Sequence, residues 1–376
     1  MASGEDPAAR AVALHEQAIA ARLGGRYQEG ERACREAAAI FEAVDGPGSA
    51  DLANALIEHG RLLDRLDRLS EAEAVLERAV AILTPLVQVQ DDGEGLAEDD
   101  ATLIADELCR LLIGGELARV AVVRAGGRLA EAEALARRAL ARAEAAYPGG
   151  DHLVAEALNA LGMIHKFQGR YAEAEPLYQR ALALVTALGD VEAEATVLHN
   201  LGGLCHARGD FAAGEPPARR AVELREAHLG PEHPATAADR EAWGALLEGL
   251  GRLEEAERAY TSSLATFEAR LGRDSLEAAS SLAALGSVQH ARGHLDQALD
   301  SYRRALAIRR ARLPPQHFDV ALTMNNLGML LEDRGAHEEA RGLVEGALAI
   351  FTTALGAAHP HTQAVGKNAA ALAKPR

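Results

Sequence analysis

Hydrophobic positions recur along almost the whole chain in a pattern typical of paired amphipathic helices. One helix is predicted from Phe318 to Asp333, and a second from Glu338 to Leu355, with Gly335 in the turn between them. Glycine at such a turn relieves the strain of a left-handed backbone where one helix stops and the next begins. In the second helix, apolar side chains follow helical spacing at Ala340, Leu343, Val344, Ala347, Leu348 and Phe351.

The same hairpin pattern recurs at a fixed period. Its skeleton is clearest in GRYAEAEPLYQRALAL, residues 169–184: a turn residue, an aromatic or Leu two residues later, Glu-Ala-Glu and Arg-Ala-Leu. Successive turns are separated by 42, 60, 42, 40, 42, 42 and 42 residues. A fixed period of this length indicates a repeat array, in which each unit buries its apolar face against its neighbours. The turn residues are Gly25, Asp67, Gly127, Gly169, Gly209, Gly251, Gly293 and Gly335.

The period divides the chain into segments. Residues 1–6 are expected to be a disordered N-terminus, residues 7–85 two repeat units, residues 101–355 six more, and residues 356–376 a capping helix and tail. Residues 86–100 are an acidic insert, because the third turn comes 18 residues late (60 − 42 = 18). We expect this insert to be a mobile loop, or alternatively a segment that folds back into the groove. A candidate helix break follows at Gly114-Gly115.

Composition and charge narrow the classes of function. The formal net charge is −17, which argues against nucleic acid and anionic membrane as partners, because both need a cationic surface. There are 3 cysteines, far apart and with no CxxC pair, which fits a reducing compartment. No secretory signal and no long apolar run are visible, so a cytoplasmic location is expected.

No pattern in the sequence indicates catalysis, a metal site or a cofactor. There is no GxSxG elbow and no phosphate-binding glycine loop after a strand. His199 and His206 lie seven residues apart, which does not bring two ligands together as a separation of four does. We therefore predict a protein that is not an enzyme.

The repeated motifs resemble the tetratricopeptide repeat, a helix–turn–helix unit. The residues that carry the resemblance are LHNLGGLCHARG at 198–209, LGPEHPAT at 229–236 and MNNLGMLLEDRG at 324–335, beside GRYAEAEPLYQRALAL. The 42-residue period resembles that of kinesin light chains and their bacterial relatives. The resemblance implies an all-α fold, a right-handed α-solenoid of about eight units plus a C-terminal cap helix. It also implies that the first helix of each unit lines a concave groove that binds extended peptides or partner proteins.

In the resembling family, asparagines nine and ten residues before the turn hydrogen-bond the backbone of an extended peptide. A carboxamide suits this role because it offers a donor and an acceptor together. Alternatively, these side chains cap or brace neighbouring helices. Alanine replaces asparagine at Ala160, Ala242 and Ala284, which interrupts the ladder. The candidate groove residues are Asn159, Met163, Lys166, His199, Asn200, His206, Asn325, Asn326, Met329 and Asn368.

The charges on the first helices differ along the chain. Arginine is frequent in the early units, at Arg22, Arg61, Arg65 and Arg124, while Glu241, Glu248 and Glu332 lie further on. Such a groove could orient a charged peptide, or the charges could be a solvated face.

The sequence thus favours a protein-interaction scaffold that binds an extended peptide or a partner protein. Two alternatives stay open. One is a regulator that changes its superhelical pitch when it binds a small signalling peptide. The other is a structural solenoid that assembles with itself. The sequence does not determine the oligomeric state.

Overall fold

The computed structural model describes residues 6–89 and 98–373, and these residues contain seventeen α-helices and no strand. The helices are α1 Pro7–Leu23, α2 Tyr27–Val44, α3 Ala50–Arg65, α4 Leu69–Val89, α5 Glu98–Ala125, α6 Leu129–Ala146, α7 His152–Phe167, α8 Tyr171–Leu188, α9 Val191–Arg208, α10 Phe211–Leu229, α11 Pro234–Gly249, α12 Leu253–Arg270, α13 Leu276–Ala291, α14 Leu295–Arg312, α15 Phe318–Asp333, α16 His337–Leu355 and α17 Pro360–Leu372. The predicted all-α architecture of helical hairpins followed by one last helix is confirmed.

Tight turns join the two helices of each hairpin at the predicted positions. Seven of the eight turn residues are glycines with φ between 73° and 80°, the left-handed region that glycine adopts without steric penalty. Asp67 takes the same role with φ 57°, and aspartate tolerates this conformation better than most residues. The turn prediction therefore holds even where the glycine is missing.

The described residues divide into two compact units, before and after the Val197–Leu198 bond. Within each unit every helix that packs on its successor also leaves alternate helices in contact. In the first unit α1 touches α3, α3 touches α5 and α5 touches α7. In the second unit α11 touches α13, α13 touches α15 and α15 touches α17. The first helices of the hairpins therefore lie side by side within each unit and form a shared surface.

Glycine permits close packing inside the hairpins. A β-carbon on Gly286 of α13 would lie 2.7 Å from Cδ1 of Tyr302 on α14, closer than real contacts allow. Gly162 and Gly244 receive the rings of Tyr178 and Tyr260 in the same way, at 2.8 Å. Each ring is thus pressed against the backbone of the partner helix, in a hole that only glycine leaves open.

The region of the acidic insert differs from the expected bounds. Helix α4 continues to Val89 and α5 already begins at Glu98, so both helices extend into the segment expected to be a loop. Residues 90–97 of that segment, like residues 1–5 and 374–376, lie outside the described residues. The candidate break at Gly114-Gly115 is wrong, because α5 runs through it. The physical reason is packing: a β-carbon on Gly115 would lie 3.2 Å from Cδ1 of Ile57 on α3.

Candidate functional site

The surface shared by the first helices of the second unit contains an open cavity of about 510 Å³ between α11 and α13, the α11–α13 cavity. Two rings from α12, Tyr260 and Phe267, form its floor and are only 2% and 3% exposed. Small side chains on both first helices leave the space above these rings open. The alanines that line it are Ala238, Ala242, Ala245 and Ala284.

Two carboxylates and a hydroxyl stand at the rim of the α11–α13 cavity: Glu241, Glu277 and Ser280. Ser281 donates a hydrogen bond from Oγ to Oε2 of Glu241 at 2.8 Å. Burial raises the pKa of the Glu241 carboxyl above its ordinary value, and the negative charge of Glu277 adds to the rise. The hydrogen bond from Ser281 and the positive charge of Arg309 oppose it. The rim is therefore acidic, with one carboxylate that is costly to keep charged.

Glu248, one turn further along α11, is held in place by two donors. The hydroxyl of Tyr260 donates to Oε2 at 3.0 Å, and Oγ of Ser287 donates to Oε1 at 2.6 Å. Burial raises the pKa of the Tyr260 phenol, and the nearby charge of Glu248 contributes. This carboxylate therefore braces α12 and α13 against α11 rather than facing the cavity alone.

The candidate asparagines differ in their surroundings. Asn200 and Asn325 are buried, at 6% and 9% exposure, while Asn159, Asn326 and Asn368 are half-buried. Asn325 donates from Nδ2 to Oδ1 of Asn326 at 3.1 Å, and Nδ2 of Asn368 donates to Oδ1 of Asn325 at 3.0 Å. Three of the five carboxamides thus bond to one another between α15 and α17. This arrangement favours the bracing role for Asn325 and leaves Asn326 and Asn368 at the surface.

The two candidate methionines, Met163 on α7 and Met329 on α15, are half-buried. Beside Met163, the Phe167 ring is 55% exposed and lies between two cations. Cζ of Arg124 is 5.5 Å from the ring centroid, and Nζ of Lys166 is 5.4 Å from it. Burial lowers the pKa of the Lys166 ammonium, and the charge of Arg124 lowers it further.

The candidate histidines have local partners. Nδ1 of His199 lies 2.9 Å from Oδ1 of Asp239, and Oδ2 of the same carboxylate accepts a hydrogen bond from Nε of Arg225 at 2.7 Å. The exposed ring of His206 lies edge-on to Phe211, with 5.5 Å between the centroids. His199 therefore belongs to a charged network beneath the surface, whereas His206 lies at the end of α9.

The arginines expected at the basic end are partly neutralised. Nε of Arg22 lies 2.5 Å from Oε1 of Glu58, and Nη1 of Arg61 lies 3.8 Å from Oε2 of the same buried carboxylate. The expected contrast between the units is therefore weaker than the arginine positions alone indicate.

The sequence analysis missed the α11–α13 cavity itself. Ala242 and Ala284 stand at the same place in successive repeats and were interpreted as gaps in the asparagine ladder. The structure shows instead that they line the open space. The signal that could have identified it was a small residue repeated exactly one period apart, beside a second small residue at Ala238 or Ala245.

Two absences belong to the same description. Within residues 6–89 and 98–373, no group of three or more histidine, cysteine or acidic side chains is placed to hold a metal ion. No described helix combines the length and the apolar character needed to cross a membrane.

Comparison with known proteins identifies the repeats. The tetratricopeptide repeat family model matches residues 9–84, 116–187, 193–269 and 238–311, and a second tetratricopeptide repeat model matches residues 320–361. No curated protein matches the chain.

Solved structures share the fold at low sequence identity. A Rap protein complexed with competence and sporulation factor is 15% identical, with a TM-score of 0.57 over 97% of this chain and 99% of that one. BtubC (BKLC) from P. vanneervenii is 24% identical, with a TM-score of 0.53 over 62% of this chain and 94% of that one. A putative kinesin light chain from Podosopora anserina is 20% identical, with a TM-score of 0.45 over 53% and 95%.

Proposed function

Because the chain belongs to the tetratricopeptide repeat family, we propose that it is a scaffold that binds an extended segment of a partner protein along its first helices. The predicted family is confirmed, and its repeats typically serve as non-catalytic surfaces for protein interaction. The function proposed here adds the place of binding and the kind of ligand.

The α11–α13 cavity is the observation that carries this proposal. Its volume of about 510 Å³ falls within the range of about 300–1,000 Å³ typical of ligand pockets. Alanine walls above a floor of Tyr260 and Phe267 provide an apolar seat for a side chain. An open cavity on a surface of parallel helices suits a chain that passes across it, with one residue inserted.

Half-buried carboxamides on the same unit add a means of holding a peptide backbone. Asn326 and Asn368 lie on α15 and α17, and each already takes part in one hydrogen bond with Asn325. A carboxamide has two donor hydrogens and two acceptor lone pairs, so one such bond leaves capacity for a peptide unit. We therefore retain Asn326 and Asn368 as proposed backbone contacts, and assign Asn325 to bracing them.

A peptide-responsive regulator is the second candidate. The specific observation in its favour is the similarity to a Rap protein complexed with competence and sporulation factor, which extends over 97% of this chain. Small-angle scattering distinguishes the two functions, since a regulator changes its radius of gyration when a selected peptide is added and a passive scaffold does not.

Selection from a random dodecapeptide library on the immobilised chain tests the proposed function. Ala238→Trp places an indole in the α11–α13 cavity from an exposed position, so it should block binding without disturbing the core. Ala307→Trp, exposed on α14, is the matched control. We expect selected peptides to bind the control and the unmodified chain equally, and to lose binding to Ala238→Trp. Peptides that bind all three proteins equally would contradict the proposal.

A further inference from the structure

We propose that the α11–α13 cavity takes a basic side chain, lysine or arginine, from the bound peptide, with its cationic group between Glu241 and Glu277. This inference rests on the proposed function and names the chemistry of the ligand at that site. The argument combines the charge of the rim, the shape of the walls and the pattern of the levels above and below.

The rim presents two carboxylates that nothing nearby neutralises. Both Glu241 and Glu277 line the cavity. Within the described part of the chain, Glu277 has no hydrogen-bond or ion-pair partner, and Glu241 accepts one hydrogen bond, at Oε2 from Ser281. Oε1 of Glu241 is therefore left for a ligand. A cation between two such carboxylates gains from both, and it also relieves their mutual repulsion.

The neighbouring levels of the array contain the cation that this level lacks. The same position of the second helix, 42 residues apart, is occupied by Arg225, Phe267 and Arg309. Nε of Arg225 donates to Oδ2 of Asp239 at 2.7 Å. Nη1 of Arg309 donates to Oγ1 of Thr323 at 2.6 Å. Phe267 stands between them, beneath the cavity, so no internal guanidinium reaches the carboxylate of Glu241 at that level.

The walls fit the aliphatic part of a long basic side chain. Lysine and arginine bury three or four methylene groups along apolar surface while the charged end stays at a polar rim. Here the methylene groups would lie against Ala242, Ala245 and Ala284 above the Tyr260 ring. An acidic side chain would meet the two carboxylates, and a purely apolar one would leave them unpaired.

Other charged groups face the same space and do not reverse its sign. Arg309 lies beneath Ser280, with Nη2 at 3.5 Å from its Oγ, and is buried at 6% exposure. Its positive charge opposes the rise in the pKa of Glu241, which burial and Glu277 cause. Glu248 adds a further negative charge on α11, held by Tyr260 and Ser287. The three glutamates outnumber the single arginine.

The test uses the dodecapeptides selected on the full chain whose binding Ala238→Trp abolishes. We expect these peptides to share lysine or arginine at one aligned position. Replacing that residue by norleucine or citrulline, which are neutral and similar in shape, should weaken binding about tenfold or more, as measured by fluorescence anisotropy. The double variant Glu241→Gln/Glu277→Gln should bind the basic and the neutral peptides equally. Glutamine at position 241 still accepts the hydrogen bond of Ser281, and thermal melting confirms that the variant folds.

A matched variant separates the cavity from the net charge. Asp300→Asn/Glu345→Gln removes two exposed carboxylates from α14 and α16, away from the first helices. We expect it to retain the full preference for the basic peptide. If it loses the preference as much as the cavity variant, the charge of the whole chain attracts the peptide and the inference is wrong.

The remaining outcomes distinguish the inference from the proposed function. Peptides that Ala238→Trp blocks but that carry no shared basic residue, or that bind equally after neutral replacement, overturn the inference and leave the proposed function standing. If the selection yields no peptide that Ala238→Trp blocks, the proposed function fails, and this inference fails with it.

Discussion

Replacing Gly286 by alanine tests the packing between the two helices of a hairpin. The added β-carbon would lie 2.7, 2.8 and 2.9 Å from Cδ1, Cε1 and Cγ of Tyr302. The Tyr302 ring is only 2% exposed, so it has little room to move aside. Overpacking of this kind typically costs about 1–3 kcal/mol.

The helix propensity of alanine opposes this cost. Alanine is favoured over glycine in a helix interior by about 1 kcal/mol. The net effect of Gly286→Ala is therefore a destabilisation of about 0–2 kcal/mol, from the difference of the two terms. Gly342→Ala on α16 isolates the propensity term, because a β-carbon there would meet no atom within 4 Å. We expect this control to be stabilised.

Urea denaturation followed by circular dichroism measures both variants against the unmodified chain. The free energy of unfolding should differ between Gly342→Ala and Gly286→Ala by about 1–3 kcal/mol, in favour of the control. Equal stability of the two variants would refute the reasoning, since it would mean that Tyr302 yields to the new methyl group without cost.

Two further predictions concern buried polar groups. Asn325→Ala should lower the free energy of unfolding by about 1–3 kcal/mol, because it removes a buried carboxamide that bonds to Asn368; a loss no larger than that of Asn368→Ala, measured by urea denaturation, would contradict the bracing role. Glu133→Gln should reduce stability at neutral pH and lose its effect in acid. Hydrogen bonds, above all from Gln168, lower the pKa of Glu133 to about 2, so its contribution is present above pH 4.5 and disappears as the pH falls toward that value. The stabilities of the variant and the unmodified chain should therefore converge between those pH values; a constant difference would contradict the assignment.

The repeat period predicted most of the fold because every unit repeats the same turn and the same apolar positions. Even Asp67, the one turn without glycine, was placed by the period and adopts φ 57°. The bounds near the insert could not be predicted in this way, since no second copy of that segment exists in the chain. Gly114-Gly115 showed the limit of local propensity: packing against Ile57 overrides the tendency of glycine to end a helix.

The candidate site was less predictable, because it depends on which side chains meet across helices. The register of α15 against α17 brings Asn368 to Asn325, and a single sequence does not state that register. Likewise, the alanines of the α11–α13 cavity are conspicuous only when the rings beneath them are known. A cavity is defined by side chains that are absent, and the sequence shows only those that are present.

The central claim is that partners bind along the first helices, and site-specific photocrosslinking tests it most directly. A photoreactive benzoylphenylalanine would replace Ala245, which lines the α11–α13 cavity, or Ala307, which is exposed on α14. After irradiation with a selected peptide, we predict a covalent adduct at position 245 and none at position 307. An adduct at position 307 alone, or equal adducts at both positions, would contradict the claim.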